Sequence, residues 1–520
     1  MSRIALKLPP GLRRAATQHA TGSAYHDMSL VRWNGERMQP VGGWQSFAGW
    51  QLNDAVRAIQ SWRDNRSASW IAAATLGQVM VWNGAAYDIT PPDFAAGSLA
   101  DLVDGFGIGD FGTGDFGTPR EPDPAYDPLG APGDTTTLTT YGENLIVVGS
   151  ADHRILHWPP ADGPTALVPL PPATPTVEER PGIVHVVPLC RSAFTTEERA
   201  IVAIGADLDP RRISWSDLER PGAFTPDVAN LAGSKQLNSN GIALCARQVP
   251  QGHLIFATDD VHLMAFAGPP FGYGIARVGA ACGPLAPNAI ATALGQAAWM
   301  GRQNFWKWNG AVEPLACPFQ GFIYDNLNRH AAARSFAFTN GVFPEIWFCY
   351  PDQNSLDPNR YAAWNFQTGV WIAGALDRTS GTDPQSYGLP LAGDASGRVY
   401  AHEIGWLADG VDRGAKVFAE TGDIELGAGD QGMLVRAIVP DFEGQDQTQL
   451  HLFGTWEPED AGFEDFGIFP YTRTDGIIDA LVETRALRLR IEGVSQAIPA
   501  QVAGWTLGQI RLDVAPGSGR

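Results

Sequence analysis

Cysteine is scarce. The 520 residues hold five, Cys190, Cys245, Cys282, Cys317 and Cys349, scattered, odd in number and never spaced as Cys-x-x-Cys. That argues against a disulfide framework or a zinc ribbon and leaves buried free thiols. Basic residues are the second shortage: 36 Lys plus Arg against 56 Asp plus Glu give a formal net charge of −20, and no long basic cluster offsets it. Tight binding to a phosphate backbone releases counterions through Lys and Arg contacts, so a surface that grasps DNA is disfavoured. An acidic wall can still meet DNA usefully, because it repels and does not hold. Long apolar runs are missing as well. Nothing approaches the ~18 apolar residues of a membrane helix, and Met1 to Leu8 lacks a signal-peptide core. The expectation is a chain made and folded in a cytoplasm, without membrane insertion.

Sustained helical periodicity is nearly absent too, and the best helix candidates are short stretches such as Leu52–Arg63. What is present is a globular balance, 44% hydrophobic and 18% charged, with 59 glycines and 39 prolines that demand frequent turns. At about 150 residues per domain, the length allows three or four ordinary domains or one large β array with an appendage. Short β-type runs dominate: Trp70–Ala74, Gln78–Trp82, Asn144–Val148, Ile183–Val187, Ala200–Ile204, His253–Ala257, Gly341–Tyr350 and Arg485–Ile491. Most are bounded by Gly, Pro, Asn or Asp, as antiparallel strands joined by tight turns would be. The reading is all-β.

An apolar strand ending in Trp-Asn-Gly recurs at Val31–Gly35, Val79–Gly84 and Trp306–Gly310, with variants at Arg154–Trp158 and Tyr361–Asn365. Asn-Gly readily adopts the positive φ of a type I′ turn, so each is a hairpin signal. Strand, turn and returning strand make the outer hairpin of a propeller blade. Stacked radially, such hairpins bury both faces, with a large Trp filling space between neighbours. The spacing is too irregular for WD40 or kelch repeats. These signals predict an N-terminal arm and first hairpin over 1–48, a β-propeller with insertions over 49–408, and a β-sandwich-like C-terminal platform over 409–520. The platform strands are read at Met433–Val439, Gln449–Phe453, Arg485–Ile491 and Gln509–Val514.

Two features invite a functional reading. The Gly/Asp/Phe-rich insertion 104–134 repeats Gly-Asp-Phe-Gly-Thr at 109–113 and 114–118, and its Phe106, Phe111 and Phe116 are candidates for a channel or docking loop. The bland alternative is a surface loop tucked onto its own blade. In the platform, Arg485, Arg488 and Arg490 are candidate intersubunit contacts with the acidic loop that carries Glu457, Glu459 and Asp460. The bland alternative there is a solvated sheet face.

Catalytic patterns are not convincing. There is no P-loop, HExxH helix, GxSxG elbow or Rossmann fingerprint. His153 and His157 lie four apart but in a strand-like context, which reads as edge or core histidines and not as a metal pair. Ser150 to Trp158 resembles the sialidase Asp-box turn, yet Arg154 stands where that box needs glycine. Asp259-Asp260 reads as a hairpin turn without calcium-loop spacing. No cofactor is implied.

Several stretches, in order along the chain, do match a family. Arg212-Ile-Ser-Trp-Ser-Asp-Leu-Glu-Arg-Pro-Gly-Ala-Phe-Thr-Pro226 resembles the "WSDLENP…FTP" segment of bacteriophage tail propeller proteins. His253–Met264 with Gly268-Pro-Pro-Phe271, Cys282–Asn288, Ala298–Gly301, Phe305–Gly310 and Phe322–Asn328 continue it. Leu8–Gly11, Val31–Gly35 and Pro40–Trp44 are similar at the amino end, as are Gly504-Trp505, Arg511–Val514 and Pro516-Gly517 at the other. The family is that of tail tubular protein B-like, or packaged-DNA-stabilisation-like, virion proteins. The resemblance implies a structural protein that is not an enzyme: a homohexameric nozzle ring below the tail adaptor or portal-side ring. Attached fibres or spikes would signal such a ring to open, and double-stranded DNA would pass through it transiently without specific binding. It also implies assembly into the virion tail within the bacterial cytoplasm. A tail-tip, collar or fibre-docking propeller of another virion type is the alternative, and a glycan-binding or glycan-cleaving propeller the lesser one.

Overall fold

The computed structural model describes residues 2–14, 21–98, 133–425, 431–444, 448–456, 463–471, 476–495 and 504–517. The interior explains the short apolar runs of the sequence. In Ser69–Ala74, the side chains of Ile71 and Ala73 enter one apolar layer while those of Ala72 and Ala74 enter another. In Asn144–Gly149, Leu145 and Val147 join the layer of Ala72, and Ile146 and Val148 face the next one. A strand buried on both faces has no polar side to show, so it reads as a continuous apolar run and not as an alternation.

These layers separate seven four-stranded antiparallel sheets, the blades of a β-propeller. In chain order they are blade 1 (58–88), blade 2 (136–169), blade 3 (192–236), blade 4 (243–280), blade 5 (290–315) and blade 6 (336–375). Blade 7 takes its three inner strands from 380–402, and its fourth, Trp44–Gln51, comes from the amino end. The first strands of successive blades touch around the whole ring, that of blade 7 meeting that of blade 1. A blade shared by distant stretches of chain thus fastens the circle.

Trp ends or nearly ends the third strand of five blades, at Trp82, Trp158, Trp215, Trp308 and Trp364. Trp158 is fully buried and its indole N–H donates to Gly163 O at 3.1 Å; that of Trp215 donates to Leu231 O at 2.8 Å. The Asn-Gly turns after Trp82 and Trp308 place Gly84 and Gly310 at φ of 110° and 87°, where a side chain would be strained.

The remaining strands form the platform, two six-stranded sheets around one apolar core. One sheet runs Val31–Asn34, Arg37–Pro40, Trp505–Pro516, Met433–Gly444, Ile478–Thr484, with Ser2–Leu6 also paired to Trp505–Pro516. The other runs Tyr25–Ser29, Phe418–Thr421, Ala486–Gly493, Thr448–Thr455, Glu464–Pro470. The core continues into blades 5 and 6 through Phe305, Phe348, Tyr361 and Trp371. Gly374 of blade 6 permits that contact, because a Cβ there would lie 2.9 Å from Ser29 Cα.

The structure departs from the sequence reading at four places. The described part of 1–48 forms no separate arm: its strands within 2–6 and 25–40 belong to the platform, and Trp44 opens the closing strand of blade 7. The Trp33-Asn-Gly turn accordingly joins two platform strands, not two blade strands. Ala58–Arg63, placed within a helix by its spacing, is the inner strand of blade 1; Ala58 and Trp62 pack toward blade 2, and Ile59 toward blade 7. Ile183–Val187, read as a strand, has no strand partner among the described residues. The longest helix among the described residues is Gln320–Asn326.

Candidate functional site

Polar side chains converge at three places: the bore of the propeller, the joint between propeller and platform, and a carboxylate hub on blade 3.

The bore is a cavity of about 290 Å³ lined by the first strands of all seven blades. Those strands offer mainly hydroxyl and small side chains, among them Thr137, Thr139, Ser192, Thr195 and Thr292. One end is spanned by polar links. Asn288 Nδ2, just before blade 5, donates to Arg57 O beside blade 1 at 3.4 Å, and Arg57 Nη2 reaches Asp357 Oδ1 of blade 6 at 2.9 Å. Arg247 also lines the bore, held by the carbonyls of Ala246, Pro287 and Ile290 at 2.9, 3.3 and 3.4 Å. Burial pushes the Asp383 carboxyl above its ordinary range, with Arg247 pulling the other way. The lining thus offers hydroxyls and small side chains with a few charged groups, Arg57, Arg247 and Asp383. Among the described residues no group of three metal-ligating side chains occurs there or elsewhere.

The joint is built on a buried ion cluster. Arg32, in the platform strand Val31–Asn34, is fully buried. Its Nη1 and Nη2 donate to Glu403 at 2.9 and 2.7 Å, and Nη2 lies 3.0 Å from Glu345 of blade 6. Neighbouring donors complete both acids: Asn340 Nδ2 and Gly42 N bond Glu403 at 2.6 and 3.2 Å, and Trp347 Nε1 bonds Glu345 at 2.9 Å. A second buried cation, Arg413, donates to the carbonyls of Val41, Gly42 and Trp406, and burial pushes its pKa down to about 10. A third, Arg378, lies over the Tyr400 and Trp44 rings and donates from Nε to His402 Nε2 at 3.0 Å. Burial, with Arg378 and Arg413 beside it, keeps His402 neutral well below its ordinary pKa, as an accepting nitrogen requires. The joint is fixed by charge, geometry and apolar core together.

The hub belongs to the Arg212–Pro226 motif. Glu179 accepts from Arg220 Nη1 at 2.9 Å, Asn230 Nδ2 at 2.9 Å and Thr176 N at 2.8 Å, with His185 Nε2 at 3.3 Å. The Arg220 guanidinium holds its carboxyl well below the usual carboxylate range. Asp217 of the motif accepts from Leu231 N at 2.9 Å. The motif therefore folds a long connection, 171–190, onto blade 3.

The candidates named from sequence fall differently. Phe106, Phe111 and Phe116 lie outside the described residues, as do Glu457, Glu459 and Asp460. The neck of the insertion is described: Ser98 N donates to Asp134 Oδ2 at 2.8 Å and Asp134 N to Ser98 O at 3.3 Å. Arg488 and Arg490 sit on a strand interior to its sheet. Arg488 Nη2 is 2.9 Å from Asp423, and Arg490 reaches Glu420 and Glu492 at 3.3 and 2.9 Å. Arg485 occupies the turn before that strand, where its N–H donates to Thr455 O. His153 and His157 stay half-buried, and Arg154 ties the Ser150–Trp158 turn to Asp152 and Asp93, each at 2.7 Å. Asp259-Asp260 sits at the hairpin of blade 4. Sequence reasoning missed Arg32, Glu345 and Glu403. Their only signal is a lone charge inside or beside an apolar run, and nothing local says which charges meet.

No family profile and no curated protein matches the chain. Among solved structures, the Neurospora crassa Pan2 WD40 domain is similar at 8% identity and a TM-score of 0.38, covering 71% of this chain and 96% of that one. Virginiamycin B lyase from Staphylococcus aureus is similar at 8% identity and 0.40, covering 69% and 97%. A fungal alcohol oxidase of the AA5 family is similar at 11% identity and 0.39, covering 90% and 93%. Likenesses this distant carry nothing about chemistry; the seven-bladed propeller with its two-sheet platform stands on the strand pairings themselves.

Proposed function

We propose that this chain is a structural subunit of a bacteriophage tail, one of six forming a nozzle that closes the DNA exit channel and opens for ejection. The observation that carries the reading is the interlocking of the two bodies. The amino end supplies platform strands and then the closing strand of blade 7, and a fully buried Arg32 holds acids from the propeller. Such a unit resists deformation, because separating the bodies leaves buried charges without partners. The ordered resemblance to tail propeller proteins, centred on Arg212–Pro226, names the setting in which stiffness is useful. The net charge of −20 suits a wall past which a polyanion slides.

The bore of a single propeller, at about 290 Å³ and bridged by Arg57, is far too small for a duplex. The DNA path of this nozzle therefore runs between subunits, and closed cyclic symmetry supplies such a lumen. An adaptor or portal-side ring above, and fibres or spikes at the rim, are the partners of this reading. Electron microscopy of the particle that contains the chain is the test. Six copies around the portal axis at the tail exit are expected, and another copy number, or a position off that axis, overturns the proposal.

A further inference from the structure

The sequence of Ile183–Val187 is that of a strand, and its side chains alternate as a strand's do: Ile183 and His185 point inward, while Val184 and Val186 are 70% and 64% exposed. The segment is straight, without bend or turn between 183 and 190. Yet the backbone N–H groups of Val184, His185, Val186 and Val187 have no hydrogen-bond partner among the described residues. The Val184 carbonyl is held by Thr225 Oγ1 at 2.9 Å, and His185 is anchored inward on Glu179, so the edge is set firmly in place.

Natural proteins blunt such edges with lysine, inward-pointing charge or a covering loop. Here Pro181 and Pro188 only bracket the stretch, no Asp, Glu, Lys or Arg lies between them, and the polar side chain that does, His185, is buried. Val228, fully exposed, follows Asp227, which Arg180 holds, and Val177, also fully exposed, lies three residues before that arginine. Most charges nearby are paired or buried. Glu179 is buried, Arg180 pairs with Asp227 at 2.9 Å, and Glu178 is the one exposed acid between 176 and 190. On a chain of net charge −20, such a place lets two copies approach with little repulsion.

We propose that Ile183–Val187 is an assembly edge, on which a second copy of this chain lays an extended segment as an added β-strand. Val184, Val186 and Val228 are covered by that contact. Backbone pairing supplies register, and the alternate valines supply apolar burial. The inference rests on the ring reading above and names the surface through which one copy meets the next.

Sedimentation velocity and negative-stain imaging of the full chain test it. Val184→Asp removes the apolar contact, and Val186→Pro removes a backbone donor that the single chain does not use. Both sites are exposed, so unchanged thermal unfolding verifies the fold. Wild type is expected to form rings, with each variant needing at least about tenfold more protein to do so, while Val342→Asp on blade 6 behaves as wild type. Rings that form equally well from the edge variants overturn this inference and leave the nozzle reading standing. A wild-type chain that stays single at every concentration, in solution and in the particle, overturns both. A photoactivatable benzophenone attached through a maleimide to Val184→Cys must, on irradiation, join two copies of this chain; a product with any other protein, or none with this chain, overturns the assignment of the partner.

Discussion

Each complete blade pairs strands that follow one another within about 45 residues, whereas the platform strand Trp505–Pro516 pairs with Ser2–Leu6 on one side and Met433–Gly444 on the other. The propeller is built from neighbours in the chain and the platform from its extremes. Local pairing leaves its mark in sequence, because a tight turn must sit between partners. Distant pairing leaves none, and its register is set by burial after the strands meet. The two bodies differ in their weak points accordingly: a blade fails at its packing, the platform at its joint.

The joint should yield first. Arg32→Ala strands two buried acids and is expected to cost about 3–5 kcal/mol, read by urea unfolding, with protease sites appearing between platform and propeller. If the platform were independently anchored, the loss would stay small and the cleavage pattern unchanged. Trp158→Ala, inside the fully packed layer between blades 1 and 2, is expected to cost about 3 kcal/mol. Its faster amide exchange should remain within those two blades. Gly397→Ala tests the seam where the amino-end strand closes the ring. That glycine has φ 85°, and a Cβ would come within 2.4 Å of Leu52 O. A loss of about 1–3 kcal/mol is expected, with exchange increasing in Trp44–Gln51 before any other blade strand.

The smallest effect is one of pH. Glu179 is held below its ordinary pKa, chiefly by Arg220, so its contribution is complete above the unfolded carboxylate pKa. That contribution is lost as the pH falls toward the depressed folded value. Glu179→Gln should flatten the acid limb of the stability profile below about pH 4 while lowering stability at neutral pH. An unchanged acid limb would remove the hub from the account of blade 3.

Much of the propeller was legible. Trp82-Asn-Gly and Trp308-Asn-Gly mark outer hairpins of blades 1 and 5, and Asn144–Gly149 and Ile201–Ile204 stand out because both faces are buried. Trp215 ends a blade strand too, but its turn is the long 216–232 loop and not Asn-Gly, which hid the repeat. The seventh blade was illegible for a different reason: its fourth strand, Trp44–Gln51, comes from more than 300 residues upstream of its partner. The same holds for the joint. Arg32, Glu345 and Glu403 lie on three separate stretches, and no local pattern distinguishes a charge that will be buried from one that will face water. Spacing predicts a helix at Leu52–Arg63 because apolar residues of an inner strand, serving two neighbouring blades, mimic a helical face.

The pairing of Ser2–Leu6 with Ile510–Val514 also has a timetable. At the ordinary pace of translation, about 5–20 residues per second, the opening strand waits roughly 25–100 s before its partner leaves the ribosome. Blades 1 to 6 can close in turn during that interval, while blade 7 can close onto Trp44–Gln51 only once residue 402 has emerged. Blade formation can thus run in step with synthesis, while Ser2–Leu6 and Trp44–Gln51 stay without their strand partners until the far end of the chain arrives.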